Sequence, residues 1–157
     1  MRHVVLVADM KVANSGDELV THALGSCLGV LIYDPVEKIG GLLHAMLPLS
    51  KVNPSKAEAN PCMFIDTGLP FLLDAFFDAG GSKSRIVVKA AGCGNLLGKN
   101  EMFEIGERNH KVLKQLLMES NIALESEDIG GTENRTVHFD LTSGHVTLSN
   151  SGREWQL

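Results

Sequence analysis

Aromatic residues are scarce in this chain. Six Phe, one Tyr and one Trp make up 5% of 157 residues, and the formal charge of -5 is relieved by no basic run. Binding of single-stranded nucleic acid relies on aromatic stacking and a basic groove, so that class is disfavoured. A small basic protein surface or a neutral polar segment suits such a chain better. No apolar run approaches the roughly 20 residues that a membrane-crossing helix needs, so no insertion into a membrane is expected. The start, "MRHVVLVADMKV", has a basic residue and a short apolar run, but Asp9 and Lys11 break it. No small-residue cleavage pattern follows, and a secretory signal is not expected. Cysteine is limited to Cys27, Cys62 and Cys93, an odd number without a C-x-x-C pair. That usage fits a reducing cytoplasm rather than a disulfide framework. His3, His110, His138 and His145 show neither H-x-x-x-H nor H-E-x-x-H spacing, and a zinc site from Cys27, His44, Cys62 and Cys93 matches no ligand pattern. "AGCGNLLG" has no lysine of a phosphate-binding loop, which argues against a nucleotide site.

What is present is a globular composition, 44% hydrophobic and 21% charged, at the length of one domain spanning residues 1–157. "HVVLVAD" reads as a first strand and "ELVTHAL" as a second. "CLGVLIY" and "IGGLLHAML" flank "DPVEK", whose Asp-Pro step initiates a turn, so they form an antiparallel hairpin. "VNPSKAEANP" reads as an exposed loop. Leu69, Leu72, Leu73, Phe76 and Phe77 have helical spacing, which predicts a helix from Thr67 to Ala79 with Pro70 in its first turn. "RIVVKAA" is a buried strand. "EIGERNHKVLKQLLMESN" is a second helix with Val112, Leu113, Leu116 and Leu117 as its stripe, and "IALESEDIGG" is a strand. "RTVHFDL" and "HVTLSN" close the chain as a hairpin about "TSG". Many strands, two main helices and hairpins at both ends define an α+β chain.

The first hairpin suggests chemistry. With a loop from Asp34 to Glu37, Tyr33 opposes Lys38 and Cys27 opposes His44. Directly opposed residues share a face with Cβ atoms roughly 4.5–5.5 Å apart. An imidazole at that distance can take the thiol proton and leave a thiolate–imidazolium pair. Gly25 and Ser26 precede Cys27, and successive amides there would stabilise an oxyanion. A cysteine in an apolar run is more often a core residue, and a histidine such as His44 more often a satisfied polar group. Cys27 therefore stays open between packing, ligand and nucleophile on the residues alone. Arg135 in "GGTENR" either binds a carboxylate or closes a salt bridge.

"THALGSC", "HAMLP", "FEIGERN" and "GGTENR", in this order and spacing over nearly the whole chain, resemble the chemoreceptor glutamine deamidase family, CheD. The resemblance implies a cysteine hydrolase that converts glutamines on chemoreceptor cytoplasmic helices to glutamates with release of ammonia, and in some members hydrolyses glutamate methyl esters. It carries the nucleophile onto Cys27, the histidine onto His44 and a supporting threonine onto Thr21. It implies no cofactor or metal. It further implies a layered arrangement of two mixed or antiparallel sheets with flanking helices, similar to glutamine-deamidating bacterial toxins, and a partner in the chemotaxis phosphatase CheC. Phe103, Ile105, Gly106, Arg108 and Asn109 would then serve receptor or partner recognition. The chain departs from the family's usual Gly-Gly-Ala at Ala91-Gly92-Cys93. A non-catalytic module regulating the phosphatase is the alternative reading, and a thiol-dependent hydrolase of another amide is a third.

Overall fold

The computed structural model describes residues 1–97 and 104–157. Two five-stranded mixed sheets lie face to face, and helices cover the far side of one of them. The first sheet has the order β1-β3-β8-β9-β10, from β1 (Arg2–Val4), β3 (Glu18–Leu24), β8 (Arg135–Asp140), β9 (Val146–Asn150) and β10 (Arg153–Gln156). The second has the order β2-β5-β4-β6-β7, from β2 (Asp9–Asn14), β5 (Ile39–Ala45), β4 (Leu28–Asp34), β6 (Val87–Gly92) and β7 (Leu124–Ile129). The α+β class therefore holds. β1 runs parallel to β3 and β6 parallel to β7; the other pairings are antiparallel.

Residue patterning explains the layers. β4 and β5 are buried throughout, as expected of central strands covered on both faces. Leu28, Val30, Ile32 and Leu43 meet Ile65, Leu69, Leu72 and Phe76 of α2 (Ile65–Asp78) and Leu113 and Leu117 of α3 (Ile105–Glu119). On the other face, Leu31, Tyr33 and Leu42 pack between the sheets against Leu19, Leu24, Val137, Phe139 and Leu148. β8 alternates strictly: Val137 and Phe139 point inward while Thr136 and His138 are half-exposed, so the first sheet has one wet face. Each fully buried leucine in these cores contributes about 1.5–3 kcal/mol.

Several expectations are corrected. The valine-rich start is two strands in different sheets, because the chain turns at the exposed Leu6 and Val7 and at Ala8, whose φ is 58°. The Val5 N–H donates to the Val20 carbonyl in one sheet, and the Ala8 N–H donates to the His44 carbonyl beside the other. "VNPSKAEANP" is not all loop: α1 (Pro54–Ala59) forms there, with the Asn53 side chain accepting from the Lys56 N–H as its N-cap. α2 starts two residues earlier than predicted, so Pro70 sits in its second turn. The closing hairpin gains a third strand, β10, after a turn through Ser151 and Gly152 at positive φ.

The first hairpin exists, but its register differs from the prediction. Asp34 pairs with Ile39, and Gly29 rather than Cys27 faces His44. Asp34 ends the strand instead of opening the loop. Its buried carboxylate accepts from the N–H groups of Val36, Glu37 and Ser82, and from the Arg85 guanidinium at 2.8 Å. Lys38 takes the left-handed position of the turn, at φ 53°. The displacement is two residues, so Cys27 and His44 keep the same face, as diagonal neighbours.

Candidate active site

Thr21 and His44 meet across the gap between the sheets. Thr21 is the fourth residue of β3, pairs with Val137 and points inward, while His22 beside it is exposed. One extra residue in β3 between Thr21 and Leu24 forms a bulge, with Ala23 at φ 57°, so that Leu24 also turns inward. The Thr21 Oγ1 lies 2.7 Å from the Val5 carbonyl and 2.7 Å from the His44 Nδ1. A hydroxyl has one proton and a carbonyl can only accept, so Thr21 donates to Val5 and accepts from Nδ1–H. That assignment fixes the tautomer and leaves the Nε2 lone pair bare. His44 is 1% exposed, and its Nε2 has no hydrogen-bond partner among the described residues.

Cys27 is half-buried in the bend Gly25-Ser26-Cys27, which carries the chain from β3 in one sheet to β4 in the other. It packs against the core between the sheets, the side on which His44 lies. The Gly25 and Cys27 carbonyls accept from the N–H groups of Gly94 and Cys93. A Cβ on Gly92 would sit 2.3 Å from the Cys27 carbonyl oxygen, so only glycine permits this approach, and its φ of 106° also favours glycine. The N–H of Ser26 has no hydrogen-bond partner among the described residues, and that of Cys27 faces its own thiol.

Electrostatics differ from the expected ion pair. Burial pushes the Cys27 thiol up and pulls the His44 imidazole down to about 4. Both shifts favour the neutral forms, so the resting site holds a thiol and a neutral imidazole. Burial, with the Asp9 charge as a lesser cause, raises Cys62 to about 11, and burial raises Cys93 to about 12. Both pack within the core beneath the helices. Among the described residues, no three His, Cys, Asp or Glu side chains converge as a metal-ligand set.

The proposed recognition residues separate. Arg108 is exposed and Ile105 half-buried at the start of α3. Phe103 lies outside the described residues. Gly106 faces inward, where a Cβ would meet the carbonyl oxygens of Cys93 and Gly94 at 2.5 Å. Asn109 presents no surface to a partner: it is fully buried, and its Nδ2 donates to the carbonyls of Ser26 and Met46, both at 3.0 Å. Sequence reasoning missed this contact, because no spacing rule relates residue 109 to residues 26 or 46. Arg135 is nearly buried, held by the Asp128 carboxylate and by the carbonyls of Asp128, Gly130 and Glu133. It ties down its own glycine loop.

A threonine-held imidazole and a half-buried thiol on the same side of β4 and β5, between two mixed sheets, define a candidate thiol–imidazole active site. The family described as "CheD chemotactic sensory transduction" matches residues 46–150. The chain is 42% identical over 150 residues to the probable chemoreceptor glutamine deamidase CheD 1 of Syntrophus aciditrophicus (strain SB), covering 95% of this chain and 94% of that protein. It is 44% identical over 149 residues to the probable chemoreceptor glutamine deamidase CheD of Desulforamulus reducens, covering 93% and 89%. With the Solibacter usitatus relative of the same name it shares 40% identity over 155 residues, covering 98% and 92%. The chain belongs to the CheD family.

Proposed function

We propose that this chain is a protein-glutamine deamidase acting on the cytoplasmic helices of chemoreceptors, with Cys27 as nucleophile and His44 as base. The observation that carries this reading is the placement of the Thr21 Oγ1 between the Val5 carbonyl and the His44 Nδ1, which leaves Nε2, without a partner among the described residues, to take a proton. Because the resting pair is neutral, proton transfer accompanies attack. His44 Nε2 accepts the thiol proton as the Cys27 Sγ bonds to the side-chain amide carbon of a glutamine. The Ser26 and Cys27 amides receive the developing oxyanion. His44 returns the proton to the amide nitrogen, the C–N bond breaks, and ammonia leaves a thioester. Water, deprotonated by Nε2, attacks the thioester, the C–S bond breaks, glutamate is released, and Nε2 returns the proton to the Cys27 Sγ to restore the thiol. The same steps would hydrolyse a glutamate methyl ester, with methanol leaving. No cofactor takes part.

Apolar surface beside the site suits a helical protein substrate. Leu6 and Val7 are exposed next to Ala8, which bonds to the His44 backbone; Leu97 is exposed, and Leu96 lies against Gly25. The chain is read as one catalytic domain of the layered type seen in glutamine-deamidating toxins, working in the cytoplasm. Among the described residues, no helix is long and apolar enough to cross a membrane. A CheC-type phosphatase is its expected regulatory partner, with Arg108 and Ile105 as candidate contacts.

The test is intact mass of a receptor cytoplasmic fragment after incubation. Each event replaces an amide NH2 by OH, and Cys27→Ala is expected to abolish the change. An unchanged mass with several cognate receptors, alongside tight phosphatase binding, would favour the non-catalytic module.

A further inference from the structure

We infer that Asn109 is a positioning residue that sets the spacing between the Cys27 loop and the end of the strand carrying His44; this rests on the reading of those two residues given above. α3 buries Gly106, Asn109, Leu113 and Leu117 at helical spacing. Position 109 therefore lies in the apolar stripe facing the sheet, where a leucine would pack without a desolvation cost. The asparagine there spends both Nδ2 protons on backbone carbonyls from opposite sides of the site. Ser26 immediately precedes the nucleophile, and Met46 lies two residues beyond the base. One planar amide thus holds both oxygens at 3.0 Å from a single nitrogen, so they lie no more than twice that distance apart.

The other ties on the bend run elsewhere. Gly25 and Cys27 are bonded to Gly94 and Cys93, beyond the end of β6. Where the β4–β5 ladder ends at the Leu28–Ala45 pair, Asn109 adds a side-chain link between the bend and Met46, just past β5. α3 is itself anchored, by Leu113 and Leu117 in the core and by Gly106 pressed on the Cys93 and Gly94 backbone. Asn109 transmits that anchorage to Cys27 and His44. The remaining Oδ1 is buried without a partner among the described residues, so the position gives up packing and polar satisfaction to hold this geometry.

Asn109→Leu and Asn109→Asp, made in the full chain, test this. The first fills the stripe with apolar volume; the second keeps the volume and removes both donors. Steady-state deamidation of a receptor fragment and the rate of Cys27 alkylation by iodoacetamide, located by peptide mass, are the readouts. The expected result is a fall in kcat of about 10- to 100-fold with KM unchanged, because misplacement acts on the reacting geometry. Cys27 alkylation should slow as well, while Asn109→Leu keeps the wild-type melting temperature. Wild-type kcat in a folded Asn109→Leu variant overturns the inference. Should neither variant fold, side-chain amide hydrogen exchange in the wild-type chain decides it: strong protection of both Asn109 Nδ2 protons supports the clamp, and rapid exchange sinks it. A wild-type chain that alkylates at Cys27 but deamidates no receptor would instead count against the proposed function.

Discussion

At the scale of single residues, the orientation of His44 depends on one hydroxyl. Thr21→Val removes the acceptor for Nδ1–H and the donor to the Val5 carbonyl while preserving shape. Nothing then holds the imidazole proton on Nδ1, and the population with Nε2 free to accept a proton falls. Deamidation is expected to fall by about 100-fold or more, the usual contribution of a general base, while Thr21→Ser retains most of it; steady-state rates for the two variants check this. A shared sheet face for Cys27 and His44 was legible in the two apolar runs about an Asp-Pro turn, but their direct opposition was not, since Gly29 faces His44. The neutral state of the pair was not legible, since it follows from burial between sheets that are distant in sequence. Asn109 was visible as a residue of interest, but its role was misplaced: a motif at a helix start gives no sign of which way an amide faces.

Among the secondary-structure elements, the β4–β5 hairpin carries His44 and begins directly after Cys27, and its turn is held by Asp34. The Arg85 guanidinium and three backbone N–H groups keep that carboxyl far below the usual carboxylate range. Asp34→Ala leaves those donors unpaired. Breaking a buried pair costs about 3–5 kcal/mol, and Arg85 is 35% exposed, so the lower end applies. Thermal melting should show a drop on the order of 10 °C. The one-residue displacement of this loop explains the misplaced register: Asp-Pro marks a turn, but the strand continues through Asp34 when its side chain is satisfied within the fold. Elements set by local periodicity, such as α2, α3 and β6, were readable within a few residues. β2 and β10 were not, because a short strand such as "DMKVAN" or "REWQ" is polar enough to read as loop and forms only when a neighbour offers an edge.

For the molecule as a whole, the two sheets close over a histidine that resists protonation. An unfolded chain takes up a proton at His44 near 6.5, while the folded chain does so only at about 4. The unfolded state therefore binds more protons between these values, and stability falls as pH drops from 6.5 to 4, then levels with respect to this group. Melting temperatures across that window should fall in the wild-type chain and vary less in His44→Asn. Loss of the Asp34 contribution belongs to a lower range, below the ordinary carboxylate value of 3.8, so the two effects separate. The alternation of the chain between sheets has a further consequence, for synthesis. β3 holds Thr21 but pairs with β8, whose Val137 emerges 116 residues later. At roughly 5–20 residues per second, the nascent chain waits on the order of 10 s between making the threonine and making the strand that seats it. Thr21 is made before Cys27 and His44, yet the strand that pairs with its own arrives only with the last third of the polypeptide. The strand that carries Thr21 to His44 therefore has one neighbour, β1, at the very start of synthesis and gains the other, β8, only near its end.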